Sequence, residues 1–387
     1  MLIGVLDSPR RMPAEVDPLL LWSALLLLFG GLVMVYSASI ATAEAARFTG
    51  QQPAYFLIRH AIFVCIGLLA AACAFQFPLS EWQKAAPWLF MAGALMLILV
   101  LIPGLGREVN GARRWLPLFV VNLQPSELMK LFAVLYAADY TVRKMPVMHD
   151  LKQAFLPLAG AMAVIGGLLL MEPDFGAFVV ITSVVFGILF LGGMRARLFA
   201  TLFSLLLVAF TLLIYFSPYR RNRIFGFMDP WADAYGKGYQ LSHSLIAFGR
   251  GELFGVGLGG SVEKLFYLPE AHTDFLLAVI AEELGFVGVL VVVLLFALLV
   301  QRAFVIGRQS VNLGRLYPAL FAMGIGIWIG VQAFVNMGVN VGMLPTKGLT
   351  LPLMSFGGSG ILANCLAIGL LLRVDWENRQ LMRGGKF

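Results

Sequence analysis

The fold is decided by stretches such as residues 19–39, which read LLLWSALLLLFGGLVMVYSAS. The segment is uncharged and long enough to cross a membrane core of about 30 Å as an α-helix, which takes about 20 apolar residues. A cleavable signal peptide would have a shorter apolar core followed by a small-residue cleavage site. We therefore predict that this segment is a retained first membrane helix.

Apolar segments of similar length recur along the whole chain. The predicted spans are residues 19–39, 56–77, 87–103, 125–142, 154–171, 175–193, 198–217, 275–301, 316–337 and 351–373. They lack the strict alternation of a membrane β-barrel. Hydrophobic residues make up 60% of the chain and charged residues 13%, unlike the composition of a soluble domain. We predict an all-α polytopic membrane protein with about ten transmembrane helices.

The spans form one membrane domain, residues 19–373, between an N-terminal segment 1–18 and a C-terminal tail 374–387. An even number of spans puts both termini on one side of the membrane. Basic residues occur in every short loop of that side, so the positive-inside rule makes the termini cytoplasmic. The large loop 218–274, between helices 7 and 8, is then extracytoplasmic. An anionic partner would explain why cations also concentrate there and around 107–114.

The large loop opens with a cationic cluster, PYRRNR at residues 218–223. Interfacial arginines bind lipid headgroups in general, but Arg also recognises the oxygens of a diphosphate bidentately. The charge pattern alone leaves both readings open. Farther along, Leu241, Leu245 and Phe248 recur at helical spacing and predict an amphipathic helix.

Glycines in the same loop match a GxGxxG spacing at Gly255, Gly257 and Gly260. No strand precedes them and no βαβ context exists, so the pattern favours a flexible turn over a dinucleotide site. An interruption of the apolar pattern at 172–174 is either a turn between two helices or a break within one, and Asp174 is expected to cap the helix that follows.

Residues 269–274, which read PEAHTD, place acidic groups where the large loop meets an apolar helix. Asp274 either caps that helix or performs chemistry at the membrane surface. Within the helix, Glu282 is about 80° around from Asp274 and Glu283 is roughly opposite. Glu282 is therefore expected to share the cavity of Asp274.

Two further regions carry polar groups at membrane depth. Glu127 and Lys130 lie one turn apart, either as a plain ion pair or as groups that face a cavity. The loop 342–360 is too rich in Gly and Pro for a regular helix. Irregular backbone at that depth is tolerated where it is buried in protein or lines a wet cavity, to which Lys347 would bring a cation.

Several of these stretches are ordered motifs. They are NGARRW at 110–115, QPSE at 124–127, EPDFG at 172–176 and LPEAHTDF at 268–275. Together they resemble the SEDS family of bacterial membrane glycosyltransferases over nearly the whole chain. DPW at 229–231 and PTKGLTLP at 345–352 look more like its cell-division branch than its elongation branch. Phe356 stands where the family often has Tyr, and Phe119 where it often has Gly.

The resemblance implies polymerisation of lipid II into peptidoglycan strands on the outer face of the bacterial cytoplasmic membrane, at the division septum. A 4-hydroxyl of the acceptor attacks C1 of the donor with inversion, and undecaprenyl diphosphate leaves. Asp274 is our candidate general base. Arg220, Arg221, Lys347 or Lys130 would stabilise the leaving diphosphate. The other candidate substrate-binding residues are Glu172, Asp174, Arg113, His272 and Ser355.

The resemblance also implies partners. These are a class B penicillin-binding transpeptidase (FtsI) and the division proteins FtsQ, FtsL, FtsB and FtsN, with no nucleic acid. No metal-ligand set is evident in the sequence, and a divalent cation, Mg²⁺ or Mn²⁺, stays open as a cofactor.

Two other function classes remain open. Ten helices, intramembrane charges and a broken-helix loop also fit a lipid II flippase. Candidates that cluster at the outer face favour an enzyme, because a carrier would have its site near mid-membrane. A non-catalytic division scaffold predicts that Asp274 and Lys347 are dispensable.

Overall fold

The computed structural model describes residues 16–109, 111–118, 121–148, 150–217, 221, 226–346 and 348–384. Its helices are α1 (Pro18–Ala45), α2 (Tyr55–Gln76), α3 (Leu79–Leu101), α4 (Pro125–Lys144), α5 (Leu156–Met171), α6 (Phe175–Leu191), α7 (Ala196–Tyr215), α8 (Tyr239–Gly251), α9 (Leu276–Asn312), α10 (Leu316–Asn340) and α11 (Gly358–Met382). Short 3₁₀ turns lie at Arg47–Thr49 and Met145–Val147, and a π-helical turn lies at Leu151–Phe155. The strands are β1 (Arg107–Val109), β2 (Ala112–Leu118) and β3 (Val121–Leu123).

Each predicted span overlaps one of the helices α1–α7 and α9–α11. Within the described part of the chain, 8 helices are long and apolar enough to cross a membrane. Of the other two, α6 is slightly short at 17 residues. Helix α4 is more polar because it carries Glu127, Lys130 and Asp139, all of which are buried. The prediction of an all-α polytopic protein with about ten membrane helices is confirmed.

Asp17 and Arg379, close to the first and last described residues, lie at the same end of the bundle. Asp17 precedes α1 and accepts hydrogen bonds from Arg302 of α9. Arg379, near the end of α11, has its Nη2 3.6 Å from Asp17 Oδ2. We call this the terminal end, and the opposite end, where α4 begins and α5 ends, the site end.

The centre of the bundle is formed by α4, α10 and α11, which are the most buried helices. Helix α10 packs against α4, α6 and α9, and α11 packs closely against α2. A Cβ at Gly369 of α11 would lie 2.7 Å from the carbonyl oxygen of Ala71. Such small residues let helix backbones approach each other, which supports helix association where lipid supplies no hydrophobic force. In contrast, Leu202 is the only buried residue of α7, which lies at the periphery.

The structure settles one boundary that the sequence left open and corrects another that was predicted. Residues 172–174 form a turn, so α5 and α6 are separate helices, and Asp174 caps α6 by accepting a hydrogen bond from the Ala177 N–H at 3.1 Å. The last helix begins at Gly358 rather than at 351. Pro352 and Gly357 interrupt the apolar run before it, and the intervening residues fold as buried turns.

The glycine-rich part of the large loop is not a flexible turn. Helix α9 is broken at Gly285, whose φ is 66° and ψ is −165°. Residues 252–257, which we call the wedge, insert at this break. The Val256 and Gly257 N–H groups donate to the carbonyls of Glu282 and Glu283, both at 3.0 Å. The Phe286 and Val287 N–H groups donate back to the wedge carbonyls of residues 252 and 253. The wedge thus satisfies backbone groups that a broken membrane helix would otherwise leave unpaired.

The remaining elements cover the site end. Strands β1, β2 and β3 form an antiparallel meander between α3 and α4. The predicted amphipathic helix is confirmed as α8, whose face with Leu241, Ser244 and Ala247 is buried. That face packs against α9 and α10, so the large loop is anchored to the bundle.

Candidate active site

A cavity of about 1030 Å³ lies at the site end of the bundle. Segments from the β-meander, α4, the α5–α6 turn, the large loop and the loop before α11 converge on it. It is lined by Gly111, Ala112, Arg114, Trp115, Gln124, Glu127, Leu170, Pro173, Asp174, Phe175, Gly176, Ser217, Gln240, Pro269, Glu270, Thr273, Asp274, Phe275, Thr346, Gly348, Thr350, Phe356, Gly357, Ser359 and Gly360. The volume is at the upper end of ordinary ligand pockets, as a large substrate would require.

Asp274 stands at the edge of this cavity, one residue before the position that caps α9. The capping residue is Phe275, which makes no side-chain capping bond. The first-turn N–H of Ala278 donates to the Phe275 carbonyl at 3.0 Å and to Asn340 Oδ1 at 3.2 Å. A Cβ at Gly348 would lie 3.1 Å from Asp274 Oδ2, so glycine leaves room beside the carboxylate. Asp274 therefore lies on the cavity wall, outside the first turn of α9.

A second carboxylate, Glu127, reaches the cavity from α4. Its Oε1 accepts a hydrogen bond from Lys130 Nζ at 2.7 Å, which confirms the predicted ion pair. Its Oε2 is buried and has no hydrogen-bond partner among the described residues. Lys130 also donates to Gln332 at 2.9 Å and does not line the cavity itself. Lys130 therefore acts on the cavity through Glu127, by compensating the charge of that carboxylate.

Asp174 joins two helices at the cavity wall. While Oδ1 caps α6, Oδ2 accepts hydrogen bonds from Ser126 at 2.8 Å and from the Gln124 amide at 3.3 Å. Both donors belong to the start of α4. Asp174 therefore fixes α6 against α4, and its carboxylate already has its hydrogen bonds satisfied.

Arg114 is the arginine of the β-meander that lines the cavity. Its Nε and Nη2 donate to the carbonyls of Glu172 and Pro173, at 2.9 and 2.6 Å. A guanidinium has five N–H groups, so the described residues leave others for an anionic ligand. Arg113, the predicted residue, points the other way and pairs with Glu108 at 3.4 Å. Successive side chains of a strand face opposite sides, which is why only one of the two arginines reaches the cavity.

Glu172 is fully buried in the α5–α6 turn, and its carboxyl oxygens have no hydrogen-bond partner among the described residues. Burial is the main cause that raises the pKa of Glu172 from its usual 4.5 to about 8, and the nearby Asp174 adds to it while Arg114 opposes it. The side chain is thus a neutral acid at neutral pH. It lies behind the cavity wall rather than on it.

Glu172→Gln is expected to change how stability depends on pH. Between about pH 4.5 and 8 the folded wild type keeps a proton that the unfolded chain has released, so its free energy of unfolding falls as pH rises. Glutamine has no proton to lose. The melting temperature of Glu172→Gln minus that of the wild type should therefore be larger at pH 8.5 than at pH 5, with both measured in detergent. The exposed Glu81→Gln is the matched control, and an equal difference at both pH values would contradict the prediction.

The other predicted residues lie around the cavity without lining it. His272 packs its ring on Phe56 and Phe356, and burial lowers the pKa of His272 although Glu270 opposes the shift. Ser355 accepts a hydrogen bond from the Leu351 N–H at 2.9 Å and so stabilises a turn.

Of the cationic candidates in the loops, the structure describes only Arg221. Arg221 is exposed and is not among the lining residues. Arg220 and Lys347 lie outside the described residues, although Thr346 and Gly348 both line the cavity.

Glu282 does not share the cavity of Asp274. It accepts hydrogen bonds from Arg250 at 2.7 Å and from Ser261 of the large loop. Glu283 binds Lys264 and Ser37, each at 2.7 Å. Both glutamates are used to anchor the large loop at the break in α9. The prediction that Glu282 shares the cavity of Asp274, made from their angle on an ideal helix, was therefore wrong. The large loop folds back against this part of α9 and binds Glu282.

The sequence interpretation also missed the polar side chains of α10. Gln332, Asn336 and Asn340 recur every four residues within an apolar span, which is the available signal. In the described part of the chain, no group of three or more His, Cys, Asp or Glu side chains is placed to hold a metal ion.

Comparison with known proteins relates the whole chain to one family. The family described as cell cycle protein, which covers FtsW, RodA and SpoVE, matches residues 18–380. A protein of Aromatoleum aromaticum named probable peptidoglycan glycosyltransferase FtsW is 69% identical over 98% of this chain and 92% of its own. A protein of Burkholderia thailandensis with the same name is 58% identical over 99% of this chain and 83% of its own.

Solved structures share the fold. A chain from a study entitled "Structural coordination of polymerization and crosslinking by a peptidoglycan synthase complex" is 32% identical, with a TM-score of 0.75 over 94% of this chain and 99% of that one. A variant of the rod shape determining protein RodA of Thermus thermophilus is 30% identical, with a TM-score of 0.67 over 94% of this chain and 98% of its own.

Proposed function

Because this chain belongs to the cell cycle protein family of FtsW, RodA and SpoVE, we propose that the site-end cavity is the active site of a peptidoglycan glycosyltransferase. The chain itself is a peptidoglycan glycosyltransferase of cell-wall synthesis. The observation that carries the assignment of the site is the position of Asp274 on a cavity large enough for a glycolipid, at the end of the bundle.

In the proposed reaction, lipid II molecules are joined into glycan strands. The acceptor 4-hydroxyl attacks C1 of the donor sugar, the bond from C1 to the diphosphate oxygen breaks, and undecaprenyl diphosphate leaves. Asp274 takes the proton of the attacking hydroxyl as general base. The new bond forms on the face opposite the leaving group, so the configuration at C1 inverts.

The developing charge of the diphosphate requires cations or N–H donors near the leaving oxygen. Arg114 supplies such donors on the cavity wall. Arg220, Arg221 and Lys347 are proposed to add to them, on the grounds of the sequence alone. A divalent cation, Mg²⁺ or Mn²⁺, is proposed to arrive with the diphosphate, since Mg²⁺ is commonly held by one or two carboxylates plus phosphates. The rate in EDTA, against that with each cation restored, tests this cofactor.

The decisive experiment supplies lipid II in detergent micelles to the purified chain together with its partner transpeptidase. Micelles have no second compartment, so consumption of lipid II with formation of glycan strands identifies an enzyme. If lipid II stays intact there but crosses the bilayer of vesicles containing the chain, the function is transport. The break in α9 does not favour transport, because protein backbone fills it.

The proposed partner is a class B penicillin-binding transpeptidase (FtsI), with FtsQ, FtsL, FtsB and FtsN around it. A structural relative comes from a complex that couples polymerization to crosslinking, which supports the transpeptidase. We also propose that this multi-pass protein lies in the bacterial cytoplasmic membrane at the septum, with both termini cytoplasmic. Fluorescent fusions to each terminus, which fold only in the cytoplasm, test that orientation.

A further inference from the structure

A stripe of three amides runs along the face of α10 towards the site end. Gln332, Asn336 and Asn340 are spaced four residues apart and therefore lie on one face of the helix. Their exposed fractions are 0%, 2% and 0%. Buried amides need several hydrogen-bond partners each, so their contacts show what this stripe holds together.

The two asparagines converge on the backbone of Asp274. Asn336 Nδ2 donates to the Asp274 carbonyl at 2.8 Å, and Asn340 Nδ2 donates to the same oxygen at 3.0 Å. Asn340 Oδ1 also accepts the Ala278 N–H in the first turn of α9. The main chain is thus held on both sides of the point where α9 begins.

The same stripe binds the loop before α11 and the ion pair of α4. Asn336 Nδ2 donates to the Leu349 carbonyl at 2.6 Å, and Gln332 Nε2 donates to the Thr350 carbonyl at 2.9 Å. Gln332 Oε1 accepts from Lys130, the partner of Glu127. One helix face therefore links Asp274 to two of the other elements that line the cavity, the loop before α11 and α4.

We propose that Asn336 and Asn340 are positioning residues that hold the Asp274 carboxylate in register with the loop before α11, while Gln332 ties this assembly to the Glu127–Lys130 pair. This proposal rests on the proposed function, in which Asp274 is the general base. Neither asparagine lines the cavity, so both act through Asp274. A general base must lie within hydrogen-bond reach of the proton it accepts, and a misplacement of about 1 Å can cost about 10²-fold in rate.

The test uses Asn336→Asp and Asn340→Asp, which keep the side-chain shape but replace N–H donors by oxygens that face a carbonyl. We expect the maximal rate of lipid II polymerisation by the chain with its partner to fall by about 10²-fold. The KM for lipid II should stay within about twofold, because the lining groups are intact. Adding Asn336→Asp to Asp274→Asn should cause no further loss, since the asparagine acts only through that carboxylate.

Asn378→Asp is the matched control. Asn378 is a buried amide whose Nδ2 donates to the Ile306 carbonyl at 3.2 Å and to Ser310 at 2.8 Å, at the terminal end. Its variant should lower the melting temperature without changing the maximal rate. Alanine variants of Asn336 and Asn340, which lack the repulsion, replace any aspartate variant that does not fold.

Three results would overturn the proposal. The first is that folded Asn336 and Asn340 variants keep the wild-type maximal rate. The second is that these variants raise the KM for lipid II and leave the maximal rate unchanged. The third is that Asn378→Asp lowers the maximal rate as much as they do. A wild-type chain that leaves lipid II unconsumed overturns the proposed function as well, whereas an active wild type with active variants overturns this inference alone.

Discussion

Asp274→Asn should fold and insert like the wild type yet polymerise lipid II at least about 10²-fold and up to about 10⁴-fold more slowly, the range that general acid–base groups contribute. Asparagine has the shape of aspartate but cannot accept the proton of the attacking hydroxyl. The fold should persist because Asn336 and Asn340 bind the backbone carbonyl at this position rather than the side chain.

The measurement is the rate of glycan-strand formation by the purified variant with its partner, alongside its melting temperature. Asp150→Asn is the control, because Asp150 is an exposed carboxylate between α4 and α5, remote from the cavity. Wild-type turnover by Asp274→Asn would remove the base assignment. A variant that melts far below wild type would instead mark Asp274 as a structural residue.

Gly255→Ala should destabilise the protein far more than Gly257→Ala, although both glycines belong to the wedge. Each has a positive φ, 79° at Gly255 and 97° at Gly257, which costs a non-glycine residue about 1–3 kcal/mol. At Gly257 a Cβ meets nothing within 4 Å. At Gly255 it would lie 2.1 Å from the Glu283 carbonyl oxygen of α9, and that backbone cannot move aside cheaply.

Displacing the wedge would release the hydrogen bonds that cross the break in α9. Each backbone group left unpaired in an apolar surrounding costs several kcal/mol. We therefore expect Gly255→Ala to lose most of its folded yield in membranes and to melt well below Gly257→Ala in detergent. Its polymerase activity should be lost too, since Asp274 immediately precedes the short part of α9 before the break. Equal melting temperatures for the two variants would show that the wedge does not support the helix.

Gly255 also shows where a sequence pattern misleads. The GxGxxG spacing alone resembles a dinucleotide motif, but no strand precedes it, so the sequence favoured a flexible turn. The alternative of a flexible turn was wrong, because glycine here permits a close backbone approach to another helix. Flexibility and close approach require the same residue type, so the sequence alone does not distinguish them.

The β-meander gives a second case. The arginine pair at 113 and 114 predicted a cation near the outer end of the bundle, and the structure has one on the cavity wall. Only Arg114 reaches the cavity, since strand geometry sends its neighbour to the opposite face. The choice between adjacent residues depended on the register of β2, which the short strands of this loop did not reveal.

The sequence by itself determined the membrane helices and the turn-forming loops, because apolar length and local turn chemistry act over short stretches of chain. It also singled out residues 269–274, four of which line the cavity. Only the tertiary structure decided which polar groups meet. The contacts of Asp274 with Asn336 and Asn340 join residues 62 and 66 positions apart. The wedge reaches α9 after the chain has folded back from α8. Such pairings follow from how the helices pack around the cavity, and no local pattern encodes that arrangement.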